Sequence, residues 1–502
     1  MASTNKKPAT ATTSKARLAS IVKSARDTMR KDAGLNGDLD RLPQLSWLLF
    51  LKAFDQRVEQ VGETLDPDYR PAIGKGYRWQ DWATDRDFSG NELKTFVNDD
   101  LIPYLADLRS VGGNADDPRN VLSTIFKDVT NRMQSGTLLR DLVNLVDQIH
   151  FDSSDDIHTM AFVYESILKE MRDAAGDSGE FYTPRPVNRF MVQQSFLKLG
   201  ESILDPACGT GGFLVQAYED LMQQVDTDSQ RMRLHADIRG IEKKPLPYLL
   251  ASMNMLLHGV GAPRLVRENA LLQMRDATAA DRVDVVLTNP PFGGEEERSI
   301  VGKFPKGYQT QETSWLFLLA IIDQLKKGGR CAIVLPNGSL FASGENSIGA
   351  RIKQKLMKDC NLHTIVRLPQ GVFAPYTQIP SNLLFFEKGN PTEEIWFYEI
   401  SPSDERRGYT KTKPMRVEEF DSCIEWWGGE RREGREEGPS TWRVLAVDVE
   451  KEGHNLDISN PHVGEDLVHH SPGELVEELL KTENEIIGLL KKLHTEMIGS
   501  GE

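Results

Sequence analysis

At 502 residues the chain is too long for one ordinary core, and two or three domains are expected. With 39% hydrophobic and 27% charged residues it has the composition of a globular protein, and its longest apolar runs, Trp47–Leu51 and Trp315–Ile322, are far too short to span a bilayer. A net charge of −15, from 60 basic and 75 acidic residues, has the wrong sign for a free-standing nucleic-acid binder, so either the substrate is not nucleic acid or the basic surface is local or supplied by a partner.

Residues 1–14, rich in Ala, Thr, Ser and Lys, read as a disordered basic tail; the first 31 residues hold eight Lys/Arg against one acid. No charged-then-apolar leader with a small-residue cleavage site is present, so export is not expected. Cys208, Cys331, Cys360 and Cys423 lie far apart without paired spacing, which points to reduced thiols in a cytoplasmic protein and to neither a disulfide framework nor a zinc site. From residue 15 to 168 the apolar residues recur at helical spacing: Leu18, Ile21 and Val22, then Leu45, Leu48, Leu49 and Leu51, then Leu138, Leu139, Leu142, Leu145 and Val146. This predicts a helical interaction domain, with Trp79 and Trp82 as core or rim.

From residue 169 to 400 the pattern changes. Gly179-Glu180-Phe181-Tyr182-Thr183-Pro184-Arg185 opens a helix beginning near Pro186. Short apolar strands then alternate with helices. The strands are expected at Ser202–Pro206, Asp237–Glu242, Arg264–Glu268, Val283–Thr288, Arg330–Leu335, Thr364–Leu368 and Asn382–Phe386, and the helices include Phe213–Leu221, Leu246–Leu257 and Trp315–Leu325. Such alternation predicts an α/β domain with a mostly parallel sheet covered on both faces, whose ligands sit at the carboxyl ends of the strands. Beyond Gly389 the regularity fades; 401–470 reads as an irregular extension, with Trp426–Gly438 as a solvated loop. In 471–502, Ser471-Pro472-Gly473-Glu474 is a capping box. Leu475, Leu479, Thr482, Ile486, Leu489 and Leu493 follow at spacings of four and three, a coiled-coil-type helix suited to subunit docking.

Two stretches carry chemistry. Asp205-Pro206-Ala207-Cys208-Gly209-Thr210-Gly211-Gly212-Phe213 follows a strand and precedes a helix. It fails the dinucleotide spacing, since residue 214 is Leu, and lacks the Gly-Lys-Ser/Thr of a P-loop. An acid leading the glycines suits instead a cofactor with a cationic amine and no phosphates, S-adenosylmethionine. Glu242, closing the second strand, can accept both ribose hydroxyls, and Asn269 at the end of the third can hold the adenine. Cys208 reads as a small loop filler. The second stretch, Asn289-Pro290-Pro291-Phe292, ends the apolar run Val283–Leu287 and Thr288. Its prolines stiffen the turn, so the Asn289 side-chain oxygen and the Pro290 carbonyl can address one exocyclic amino group while Phe292 stacks on the ring.

With these residues in place, the chain resembles the modification (M) subunits of type I restriction–modification systems. Glu180, Phe181, Tyr182, Thr183, Pro184 and Arg185 are similar to the family's first cofactor motif, which grips the methionine end. Asp205, Pro206, Ala207, Gly209, Thr210, Gly211, Gly212 and Phe213 are similar to its glycine loop, Glu242 to its ribose acid, and Asn289, Pro290, Pro291 and Phe292 to its catalytic tetrad. Ile365–Pro369 and Asn455–Ser459 also look familial. The resemblance implies a Rossmann-like class I methyltransferase sheet and a DNA adenine methyltransferase acting on double-stranded DNA with the target adenine flipped out. It further implies a specificity (S) subunit, a restriction (R) subunit and two M copies per complex; direct transfer needs no metal, and the short apolar runs predict no membrane span. Two other readings are a protein-glutamine methyltransferase, which shares an Asn-Pro-Pro-Tyr tetrad, and a non-catalytic cofactor-binding scaffold.

Overall fold

The computed structural model describes residues 15–109, 117–151, 183–341, 344, 347–374, 377–402, 408–462 and 483. The chain divides into two units, Met1–Ile458 and Ser459–Glu502. The basic tail, the Gly179–Tyr182 stretch and, Glu483 excepted, the expected helix of 471–502 lie outside the described residues.

The helical spacing of the N-terminal region builds helices at Lys15–Met29, Asp38–Phe54, Pro118–Phe126 and Gly136–Asp147. Leu18, Leu48, Leu51, Leu139, Leu142 and Val146 are fully buried, whereas Leu138 and Leu145 are only partly covered. Trp79 and Trp82 are both core residues, edge to face at 5.3 Å. Trp79 Nε1 donates to Asp147 Oδ1 at 2.8 Å, and the same oxygen takes Lys52 Nζ at 3.0 Å, so the buried Lys52 charge is paired.

The second region forms a nine-stranded sheet: β1 (Ile203–Asp205), β2 (Ile238–Ile241), β3 (Arg264–Val266), β4 (Val283–Thr288), β5 (Leu325–Pro336), β6 (Cys360–Arg367), β7 (Ser381–Lys388), β8 (Glu394–Glu399) and β9 (Thr441–Leu445). Its order is β3-β2-β1-β4-β5-β7-β6-β8-β9. β1 to β5 pair in parallel, β7 runs antiparallel between β5 and β6, β8 is parallel to β6, and β9 is antiparallel to β8. Both faces are covered, as near-continuous apolar strands require. Val285 and Leu287 join a cluster continuous with the helical region, while Val286 joins a second cluster on the opposite face. Helix Asp38–Phe54 packs on helix Pro245–Leu257, which carries the first cluster across.

The sheet is larger than the seven strands expected. The segment past Gly389 is not irregular: Ile395 and Phe397 are buried on β8, and β9 comes from within the supposed extension. Trp426–Gly438 is a largely exposed loop past the helix end at Trp426, as expected, but two of its side chains are not given to water. Trp427 is 1% exposed, and the Arg435 guanidinium lies 4.6 Å from the Trp426 ring and 4.8 Å from the Trp427 ring. Arg435 Nη1 also donates to Thr364 Oγ1 of β6 at 2.8 Å. The flat cation stacks on indole faces and covers the sheet instead of meeting water.

Candidate active site

The site sits where the sheet order reverses. β1 leads to β2 and β3 on one side, and the chain then crosses back to place β4 on the other side of β1. The loops leaving β1 and β4 therefore rise side by side from the carboxyl edge.

Asp205 ends β1 and is 1% exposed. Its Oδ1 accepts from Thr288 Oγ1 at 2.8 Å, across from β4, and from Ala207 N at 3.1 Å. Burial pushes the Asp205 carboxyl up to about 7; the two donors oppose the rise and the nearby Glu242 charge adds to it. Past Pro206 and Ala207 the loop turns through Gly209 and Gly211, at φ +53° and +78°, where an L side chain would be strained. At Gly212 an added Cβ would stand 2.4 Å from Asn188 Nδ2. Buried Thr210 is tied down through its carbonyl, which accepts from Asn254 Nδ2 at 3.1 Å. Phe213 points into the core and is 2% exposed, so it anchors the helix Gly212–Met222 instead of lining the loop.

Glu242 follows β2 and draws the loop toward it. Its Oε2 accepts from Gly209 N at 2.9 Å and its Oε1 from Lys244 N at 2.8 Å. Burial raises its pKa, while these backbone donors lower it. Each oxygen keeps a second lone pair for a hydroxyl donor. Asn269 is spent differently: it caps helix Ala270–Asp276, Oδ1 accepting from Leu271 N at 2.9 Å, and its amide donates to Glu296 Oε2 at 3.3 Å.

Asn289 leaves β4 half-buried. Its Nδ2 donates to Thr183 Oγ1 at 3.0 Å. Its Oδ1 is buried with no partner among the described residues. With the amide turned this way toward Thr183, its acceptor end is the one without a partner among the described residues. Pro290 is buried, Pro291 and Phe292 half-buried, and Phe292 meets Phe373 edge to face at 5.5 Å. Pro184 precedes helix Arg185–Gln193, and Arg185 at its first position is exposed. Of the expected site residues, Thr183, Asp205, Thr210, Glu242 and Asn289 are thereby joined in one loop cluster, and Glu180, Phe181 and Tyr182 lie outside the described residues. Among the described residues no cluster of His, Cys, Asp or Glu is placed to hold a metal, all four cysteines are free and buried, and no helix is long and apolar enough to cross a membrane.

A family model described as N-6 DNA Methylase matches residues 155–469, and one described as HsdM N-terminal domain matches residues 18–146. The chain belongs to the N-6 DNA methylase family. Within it, the sequence is 46% identical over 489 residues to the type I restriction enzyme EcoEI methylase subunit of Escherichia coli, covering 96% of this chain and 98% of that one. It is 32% identical to the StySJI methylase subunit of Salmonella typhimurium, over 71% of this chain and 66% of that one. Among solved structures, a modification subunit of a type I restriction enzyme from Vibrio vulnificus is similar at a TM-score of 0.82 and 48% identity, over 92% of this chain and 100% of that one. A chain from a study of complex assembly and conformational transition of the type I R-M system aligns at 0.77 and 38%, over 97% and 99%. The methylase is thus of the type I kind, with the class I methyltransferase fold, and the DNA family of its catalytic region decides against the protein-glutamine reading.

Sequence reasoning missed several residues of this methylase's site. Thr288 is a strand residue whose hydroxyl matters only because β4 adjoins β1. Asn188 fills the space behind Gly212, and its Oδ1 too is buried without a partner among the described residues. Phe373, 4% exposed, backs Phe292 from 81 residues further along the chain. Ile365–Pro369 and Asn455–Ser459, named without a role, meet: Arg367 Nη1 donates to Ile458 O at 2.7 Å and Nη2 to Asp457 Oδ1 at 2.5 Å.

Proposed function

We propose that this methylase subunit transfers a methyl group from S-adenosylmethionine to the exocyclic amine of an adenine extruded from double-stranded DNA. The observation that carries this reading is the open, buried Asn289 Oδ1, one residue from Thr288, whose hydroxyl binds the Asp205 carboxylate. The glycine loop fits the cofactor: its backbone passes where side chains would not, and a buried carboxylate stands at its entrance without a countercharge among its hydrogen-bond donors. Asp205 would hold the cofactor's amine, Glu242 the ribose hydroxyls, and Thr183, Pro184 and Arg185, with Glu180, Phe181 and Tyr182 before them, the methionine end. Asn269, whose amide donates to Glu296, would border the adenine end. When bound, the cofactor supplies a methyl group activated on a sulfonium.

Phe292 stacks the extruded base, whose removal from the duplex costs on the order of a few kcal/mol. The amine's lone pair is delocalised into the ring. Asn289 Oδ1 and the Pro290 carbonyl accept its two hydrogens, which favours a tetrahedral nitrogen with the lone pair free for in-line attack. The new N–C bond would form as the methyl–sulfur bond breaks, and one of the two hydrogens would then leave the nitrogen as a proton to solvent. Pro291 keeps the turn rigid, and the Thr183 bond keeps the acceptor end inward. Positioning and fixed dipoles supply the acceleration.

A chain of net charge −15 needs help on DNA. The reading therefore includes a specificity subunit that reads the sequence and carries basic surface, a restriction subunit for cleavage, and two copies of this chain per complex, working in the cytoplasm. The domains follow this division of labour: 15–168 and the segment 471–502 for assembly, 169–400 for chemistry. The test is Asn289→Ala in the complex with its S subunit, given labelled cofactor and duplex DNA. Cofactor binding persists and methyl transfer is lost; unchanged methylation overturns the assignment.

A further inference from the structure

β5 runs past the end of β4. Thr288 pairs with Ile333, and β5 continues three residues to Pro336, about 10 Å further along the carboxyl edge. It then makes the short helix Asn337–Leu340 and delivers Phe341, a residue 60% exposed. An aromatic in water is ordinarily on loose chain, but this one stands on a braced platform. Lys353 is 1% exposed and donates its ammonium to Leu340 O at 2.9 Å and Phe341 O at 2.8 Å. Leu456 N also donates to Leu340 O, at 3.0 Å. At the other end, Asn337 N donates to Pro380 O at 2.9 Å, and the Asn337 side chain is held by Asn382 and Asp457. The Pro380 bond brings in the segment before β7, where Ile379 is 52% exposed. Burying a lysine is costly, and the two carbonyl bonds that offset part of that cost hold the Leu340–Phe341 backbone in place.

We infer that Phe341 is the apolar wedge that enters the duplex beside the target and fills the space left by the extruded adenine. This rests on the proposed function. If Asn289 receives a base at the carboxyl edge, the duplex must lie over that same edge, and Phe341, exposed and apolar, sits on backbone braced just beyond the end of β5. Wedging an apolar ring into the stack offsets unstacking.

The experiment uses the complex with its S subunit and a duplex bearing 2-aminopurine in place of the target adenine mapped for the wild type. Phe341→Ala should cut the fluorescence rise on binding and, on adenine duplex, the methylation rate by about tenfold or more, with cofactor affinity unchanged. Phe341→Leu should keep most activity. A duplex whose target adenine faces a mismatch is already destabilised, and there Phe341→Ala should recover to within about twofold of wild type. Wild-type flipping by Phe341→Ala, or an equal loss on paired and mismatched duplexes, overturns the wedge. So does failure of the variant to assemble with the S subunit by gel filtration, which makes Phe341 a protein contact. A wild-type complex that methylates no adenine refutes the proposed function itself, so the two failures are separable.

Discussion

If Asp205 holds the cofactor's amine as proposed, cofactor affinity should depend on pH in a way that can be worked out in advance. Burial holds it at about 7 in the unliganded protein, against 3.8 for an ordinary aspartate. The folded chain therefore keeps a proton that the unfolded chain gives up, and unliganded stability falls as pH rises from about 4 to about 7, by on the order of 4 kcal/mol. A cofactor amine needs the ionised carboxylate, while the amine itself, an α-amino group, loses its proton near about 7.8. The product of the two fractions peaks near about pH 7.4. It falls about fivefold by pH 6 and about fiftyfold by pH 5. Calorimetry of S-adenosylmethionine binding across this range should trace that curve, with proton release detectable in buffers of different ionisation enthalpy. Asp205→Asn should weaken binding at neutral pH and flatten the acid limb, and Thr288→Val, by removing a donor that favours the anion, should move the limb to higher pH. A wild-type affinity constant between pH 5 and 7 would refute the reasoning.

Thr183→Val removes the bond that turns the Asn289 oxygen inward, and should lower the methylation rate by about tenfold or more while cofactor affinity holds; an unchanged rate denies the positioning role. At Phe292, replacement by Tyr or Trp should be tolerated far better than by Ala in the same assay, and equal activity in all three removes the stacking role. Arg435→Ala should cost about 2 to 3 kcal/mol in urea denaturation, with Arg435→Lys recovering little, because an ammonium cannot lie flat between Trp426 and Trp427.

What the sequence disclosed and what it hid follow from how far apart the cooperating residues lie. Val283–Thr288 announces a buried strand by itself, since consecutive apolar residues serve both faces. β8 does not, because acids bracket its aromatic alternation, and its burial depends on β6 and β9. The Arg-rich stretch around Arg435 looks solvated until two indoles receive the guanidinium. Asn269 could be seen to end a strand, but not that its carbonyl would be consumed as a helix cap.

The glycine loop and the proline-stiffened tetrad were legible because each imposes its own backbone chemistry. Their meeting was not, and the strand order explains it. The chain lays β2 and β3 on one flank of β1 and only then returns to set β4 on the other, so the loops of β1 and β4 have no strand between them. Asp205 and Thr288, 83 residues apart, can then share a hydrogen bond. The same crossover forces any base gripped by Asn289 to face whatever the glycine loop holds. Moving β4 outward by one strand would leave every motif intact and put about 5 Å between the partners that chemistry needs in contact.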